Sequence, residues 1–116
     1  MWLCTQNGFY SVSHKSEDEI HVRARKREDL ENLKQVAACM DTAALDWTIH
    51  RSPPPADYRW RIVINRDQLC ELMVAVAEDI DYSNFKGRIH QREDQDEKSS
   101  AYAQLWHKLY QLQEAS

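Results

Sequence analysis

The stretch that most constrains this chain runs from Asp57 to Tyr82, DYRWRIVINRDQLCELMVAVAEDIDY. Tyr58, Trp60, Ile62 and Ile64 alternate with Arg59, Arg61, Val63 and Asn65. That period of two puts the aromatic and aliphatic set on one face of a strand and the arginines on the other. The apolar face requires a cover, and the next residues supply one. Asn65 is a good N-cap and Gln68 follows three residues later, approximating a capping box. Leu69, Leu72, Met73, Val76 and Ile80 then form a helical stripe, with Cys70, Val74 and Ala77 beside it. So wide an apolar arc is expected to touch both the sheet and a second helix. Trp60 is expected to be largely buried between the sheet and this helix, and Cys70 to lie in the core. Glu78 and Asp79 oppose the helix dipole, so the helix end is expected to fray or to be held by another segment.

The N-terminal quarter reads as an antiparallel meander. Trp2–Thr5 is a short strand, and Asn7-Gly8 predicts a type I′ hairpin turn with positive φ. Phe9–Lys15 returns, and Ile20–Arg25 forms the third strand, with Ile20, Val22 and Ala24 on one face and His21, Arg23 and Arg25 on the other. A helix follows, its buried stripe marked by Leu30, Leu33, Val36, Ala37 and Met40. Trp47–Arg51 reads as a strand with Trp47 and Ile49 inward and His50 outward, and Ser52–Ala56 as a stiff proline connector. Beyond Tyr82, residues 83–89 read as an irregular link and Gln91–Lys98 as a mobile or frayed segment. The last helix is expected to be capped by Ser99 or Ser100. Its stripe of Tyr102, Leu105, Trp106, Leu109 and Leu112 carries too much apolar surface to leave wet, so it is expected to pack on its own domain or on a second copy.

These elements predict a single α+β domain over residues 1–116. It would hold an antiparallel sheet of about five strands with three helices mainly on one face, a ferredoxin-like sandwich variant. At 116 residues the chain can bury a core without disulfides or metal. Cys4, Cys39 and Cys70 are odd in number and far apart, which predicts reduced thiols in a cytoplasmic protein. No apolar run reaches membrane-spanning length, and the N-terminus lacks the pattern of a signal peptide.

Several motifs together resemble a family of short uncharacterised bacterial proteins. They are Met1-Trp2-Leu3, Gly8-Phe9 with Ser11, Arg23-Ala24-Arg25, Asp29-Leu30, Asp57-Tyr58-Arg59 with Arg61, Ile80-Asp81-Tyr82 with Asn84-Phe85-Lys86, and Trp106. The resemblance spans nearly the whole chain and implies a bacterial, cytosolic, stand-alone domain. It carries no activity, so it transfers no catalytic or binding residue.

The composition removes several function classes. With 2 glycines there is no glycine-rich phosphate cradle. The histidines form neither H-x-x-x-H nor H-x-H, so neither a metal site nor a cofactor is implied. Nothing places a nucleophile, a base and an orienting group together, which argues against catalysis.

What remains is the outer sheet face. There His21, Arg23, Arg25, His50, Arg59 and Arg61 are expected to gather, a notable arginine density in a chain of net charge −4. If the strands are neighbours, these like charges need compensation. Acids of the same chain, such as Asp57 or Glu19, would make the face structural; a partner's carboxylates or a ligand's phosphates would make it functional. Asn84 and Lys86 form a second candidate site, set against a reading in which Tyr82 and Phe85 staple the loop and Asn84 satisfies its backbone.

Two functions follow. The leading expectation is a protein-interaction or oligomerising module. The alternative is a binder of an anionic ligand or single-stranded nucleic acid through the arginine face. Against nucleic acid stand the net charge and an outer face on which Phe9 is the one aromatic expected.

Overall fold

The computed structural model describes residues 1–92 and 96–115. The chain divides into two compact units, Met1–Asp81 and Tyr82–Ser116.

The first unit is an α+β layer pair. Strands β1 (Trp2–Thr5), β2 (Gly8–Ser16), β3 (Glu19–Ala24), β4 (His50–Arg51) and β5 (Trp60–Ile64) form one antiparallel sheet in the order β1-β2-β3-β5-β4. The sheet is antiparallel as expected, but its β1–β3 meander departs from the β-α-β-β-α-β order of a ferredoxin-like sandwich.

Helices α1 (Arg27–Ala37) and α2 (Arg66–Glu78) pack on the inner face. The core holds Tyr10, Val12, Ile20, Val22, Ala24, Ile62 and Ile64 from the sheet, with Leu30, Leu33, Ala37 and Leu72 from the helices. The alternation expected for β5 therefore holds from Trp60 to Ile64. Asn65 and Gln68 form the full capping box of α2: Gln68 N donates to Asn65 Oδ1 at 2.8 Å and Asn65 N to Gln68 Oε1 at 2.9 Å.

Several expectations fail at the ends of elements. Met40 is exposed because α1 stops at Ala37, and Ile80 is exposed because α2 stops at Glu78. The second stripe of α2 also faces outward, and Cys70 is exposed rather than in the core. The strand expected over 47–51 shrinks to His50–Arg51, because Thr42–Asp46 winds into a 3₁₀ turn capped by Asp41. Trp47 and Ile49 still pack against the core. Trp60 lies on the inner face but is only half-buried, with the guanidinium groups of Arg27 and Arg51 at 5.3 and 5.6 Å from its ring.

The β1–β2 turn also differs from the type I′ expectation. Thr5 pairs with Gly8, so Gln6-Asn7 is the two-residue loop, and no described residue has positive φ. Gly8 is required for space instead: a Cβ there would sit 2.5 Å from Asp29 Cγ. Asp29 Oδ2 accepts the Phe9 N–H at 3.2 Å, and Tyr10 Oη donates to the Asp29 carbonyl at 2.7 Å. The segment that holds the end of α2 is this same turn. Gln6 Nε2 donates to the Asp79 carbonyl and to its Oδ2, both at 2.8 Å, and Asn7 Nδ2 donates to Oδ2 at 2.9 Å. An acid that opposes the helix dipole is thus kept as an acceptor for a buried turn.

The second unit holds helices α3 (Phe85–Gln91) and α4 (Asp96–Ala115), so the described residues form four α-helices where the sequence predicts three. The link expected to be irregular is α3, started by Asn84, whose Oδ1 accepts the Gly87 N–H at 3.2 Å. Helix α4 begins before Ser99 and Ser100, so neither serine caps it. Phe85 packs against Tyr82 and Tyr102, with ring centroids 6.3 and 5.7 Å apart. On α4 Tyr102 is buried, whereas Trp106, Leu109 and Leu112 are exposed. Most of the acidic run Glu93–Glu97 lies outside the described residues.

Candidate functional site on the outer sheet face

Register fixes the outer face. Trp2 stands opposite Ser11, Ser11 opposite Arg23, Arg23 opposite Arg61, and Arg61 opposite His50. These residues form one row across all five strands, spanning about 19 Å at a strand spacing of about 4.8 Å. The neighbouring row begins with Cys4 opposite Phe9.

The contacts along the row are hydrogen bonds to neutral groups and stacking on rings. Arg23 Nη2 donates to Ser11 Oγ at 2.8 Å, and its guanidinium lies 4.8 Å from the Tyr58 ring centroid. Arg25 lies 4.4 Å from the same ring and 5.8 Å from that of Phe9. Trp2 meets Phe9 edge-on at 5.3 Å and is 64 % exposed. Trp2, Phe9, Arg25, Tyr58 and Arg23 therefore form a continuous aromatic–guanidinium strip.

Tyr58 corrects the sequence expectation. The alternation puts it with Trp60 on the inner face, but residues 57–59 form a bend rather than strand, so the alternation does not extend back through them. Tyr58 lies instead on the arginine side, where Arg23 and Arg25 cover it to 7 % exposure. Trp2 is a second outward aromatic that the sequence reading did not place. Its signal was present: a two-residue loop at either Gln6-Asn7 or Asn7-Gly8 puts Trp2 on the same face as Phe9, which is expected outward.

Arg61 is held differently. Its Nη1 lies 3.0 Å from His21 Nδ1, and His21 Nε2 lies 2.8 Å from Glu19 Oε1. An arginine is always a donor, so Nδ1 must accept, and the proton of a neutral His21 sits on Nε2 toward Glu19. Glu19 thus reaches the arginine pair only through a neutral ring. Among the described residues, no carboxylate forms an ion pair with Arg23, Arg25, Arg59 or Arg61. The Nε atoms of Arg23, Arg59 and Arg61 are buried without an acceptor among the described residues. Arg59 precedes β5, where its carbonyl accepts the Ser52 N–H at 2.7 Å. His50 is exposed at the far end of the row and is separated from the strand of His21 by β5.

The other candidates have local roles. Asn84 is the α3 cap, and Lys86 Nζ sits 3.9 Å over the Trp106 ring. The structure also joins two residues the sequence left apart, His90 Nδ1 and Ser99 Oγ, at 3.2 Å. Among the described residues, no carboxylate is hydrogen-bonded to that imidazole. Cys4 is exposed by area, but protein packed around its sulfur desolvates it, and with the Asp29 carboxylate nearby its thiol is pushed up to about 11. That suppresses the thiolate a nucleophile requires. Among the described residues, no group of three His, Cys, Asp or Glu side chains could hold a metal ion, and no helix is long and apolar enough to cross a membrane. Comparison with protein-family models, curated proteins and solved structures gives no match to the chain.

Proposed function

We propose that this chain is a non-catalytic binding module that takes an anionic ligand on the outer face of its sheet. One observation carries the reading: Arg23 and Arg61 stand directly opposite each other on adjacent strands, with neutral hydrogen-bond partners and no carboxylate among the described residues. Like charges so placed repel. Phosphate or carboxylate oxygens relieve that repulsion, because the planar guanidinium fork matches either group. The chain's net charge of −4 does not oppose this, since Ser, His and aromatic residues surround the arginines.

Calorimetric titration with tripolyphosphate tests the proposal. Binding is expected to weaken steeply with added salt and to fall at least about tenfold in Arg61→Glu, since a reversed charge at short range outweighs screening. Equal affinity in wild type and Arg61→Glu contradicts it.

A second reading, docking of a protein partner or a second copy, rests on α4. Leu109 and Leu112 are 56 % and 69 % exposed on one helix. Sedimentation of the full chain beside Leu109→Glu distinguishes the two, because self-association through α4 is lost in that variant while anion binding persists.

A further inference from the structure

Resting on the anionic-ligand reading, we infer that the ligand is single-stranded nucleic acid, held with an unpaired base on Trp2 and with its phosphates along Arg25, Arg23 and Arg61. An anion alone would need only the guanidinium groups. It would leave unexplained why the arginines merge into a strip of rings that ends in an exposed tryptophan. Trp2 is 64 % exposed and meets Phe9 edge-on at 5.3 Å, so most of the indole is open to solvent. Its position is set firmly: the N-terminal amino group of Met1 donates to the Val12 carbonyl at 2.9 Å, and Val12 N donates back to Met1 O at 2.8 Å. A stacking platform gains from such anchoring, because little freedom is lost when a base settles on it.

The spacing also suits a strand of nucleotides. Trp2 and Arg61 stand three strands apart in the row, at about 14 Å from strand spacings of about 4.8 Å. Open sheets that bind RNA stack two or three bases over comparable widths. Arg25, whose guanidinium carbon lies 4.4 and 5.8 Å from the Tyr58 and Phe9 ring centroids and whose residue is exposed, adds a second platform, since guanidinium planes stack on bases as aromatic rings do. A duplex fits poorly: the face offers no helix or ribbon to enter a groove. An acidic or phosphorylated peptide would engage the arginines and leave Trp2 idle.

The test uses the full chain, a labelled eight-nucleotide oligo-uridine, and an abasic oligomer of the same length and charge, read by fluorescence anisotropy at low salt. The expected result is tighter binding of the base-bearing oligomer by about tenfold or more, the scale of one stacked base. Trp2→Ala is expected to remove that preference, and Trp2→Phe to retain most of it. Near-ultraviolet circular dichroism confirms that each variant is folded. If the abasic oligomer binds equally well, or Trp2→Ala leaves the preference intact, the nucleic-acid inference falls while binding of tripolyphosphate still upholds an anion site. Tighter binding of a phosphoserine peptide than of the oligonucleotide also overturns it. If neither oligonucleotide nor tripolyphosphate binds, both readings fall together.

Discussion

Two adjacent residue pairs on the same two strands show how differently the faces of this sheet are built. Val22 and Ile62 stand opposite each other on the inner face, each 1 % exposed, under α1 and α2. One residue further along, Arg23 and Arg61 stand opposite each other on the outer face. The first pair is complete within the chain, because apolar contact is its own compensation. The second pair is not, because two guanidinium groups attract nothing in each other, and their neighbours here are a serine hydroxyl, a neutral imidazole and an aromatic ring. Inner-face residues therefore set stability, and outer-face residues are free to set binding.

The largest expected effect lies on the inner face. Ile62→Ala should destabilise by about 2–5 kcal/mol in chemical denaturation, while the adjacent outer-face Val63→Ala should stay within about 0.5 kcal/mol. Similar losses at both positions would dissolve the contrast.

Next is the latch between the β1–β2 turn and α2. Asp79→Ala removes the carboxylate oxygen that accepts from Gln6 Nε2 and Asn7 Nδ2 and should cost about 1–3 kcal/mol by the same measurement, more than most polar truncations at a helix end. The Gln6 bond to the Asp79 carbonyl remains, so the loss should be smaller than that of Ile62→Ala.

How much of this was legible follows the regularity of the backbone. Ile62 and Ile64 were placed correctly, and Trp60 on the correct face though only half-buried, because β5 is an unbroken strand, and the Asn65 cap because its partner sits at a fixed spacing. Tyr58 was misplaced because the bend at 57–59 has no signature stronger than the prolines before it. Met40 and Ile80 continued a period past the point where their helices end. Helix α3 is 7 residues long and contains Gly87, so its own propensity is too weak to announce it. Asn7-Gly8 was read as turn chemistry, when Gly8 is there to admit Asp29 from α1, a contact invisible to local pattern. The arginine pair depended on β3 and β5 being neighbours, which no local signal states. The aromatic partners of that pair emerged only once the hairpin register and the bend were known.

Arg61→Leu sharpens the comparison from the other side. It removes one charge of a repelling pair and one bond to a largely buried histidine, opposing effects whose net change should be no more than about 1 kcal/mol. A loss as large as that of Ile62→Ala would make Arg61 structural and remove the basis for a binding face.

The smallest effect concerns Cys4 beside Phe9. Burial of the sulfur first, and Asp29 second, raise the thiol from 9.0 to about 11 in the folded state. The folded protein therefore holds that proton more tightly than the unfolded chain. The contribution is present below pH 9 and is lost as pH rises toward about 11. Alkylation of Cys4 by iodoacetamide, followed by mass spectrometry, should still be accelerating above pH 9. A rate that levels off by pH 9 would remove the desolvated environment ascribed to this corner of the face.

The central claim is that the outer-face arginines await an anion, and side-chain NMR tests it most directly. Tripolyphosphate would be titrated into the labelled full chain while the arginine Nε–Hε resonances are followed. The expected result is saturable shifts at Arg23, Arg25 and Arg61, suppressed by salt, with Arg27 unmoved in its contacts with Glu31 and Trp60. Shifts spread evenly over all arginines, or none at Arg23 and Arg61, would contradict the account.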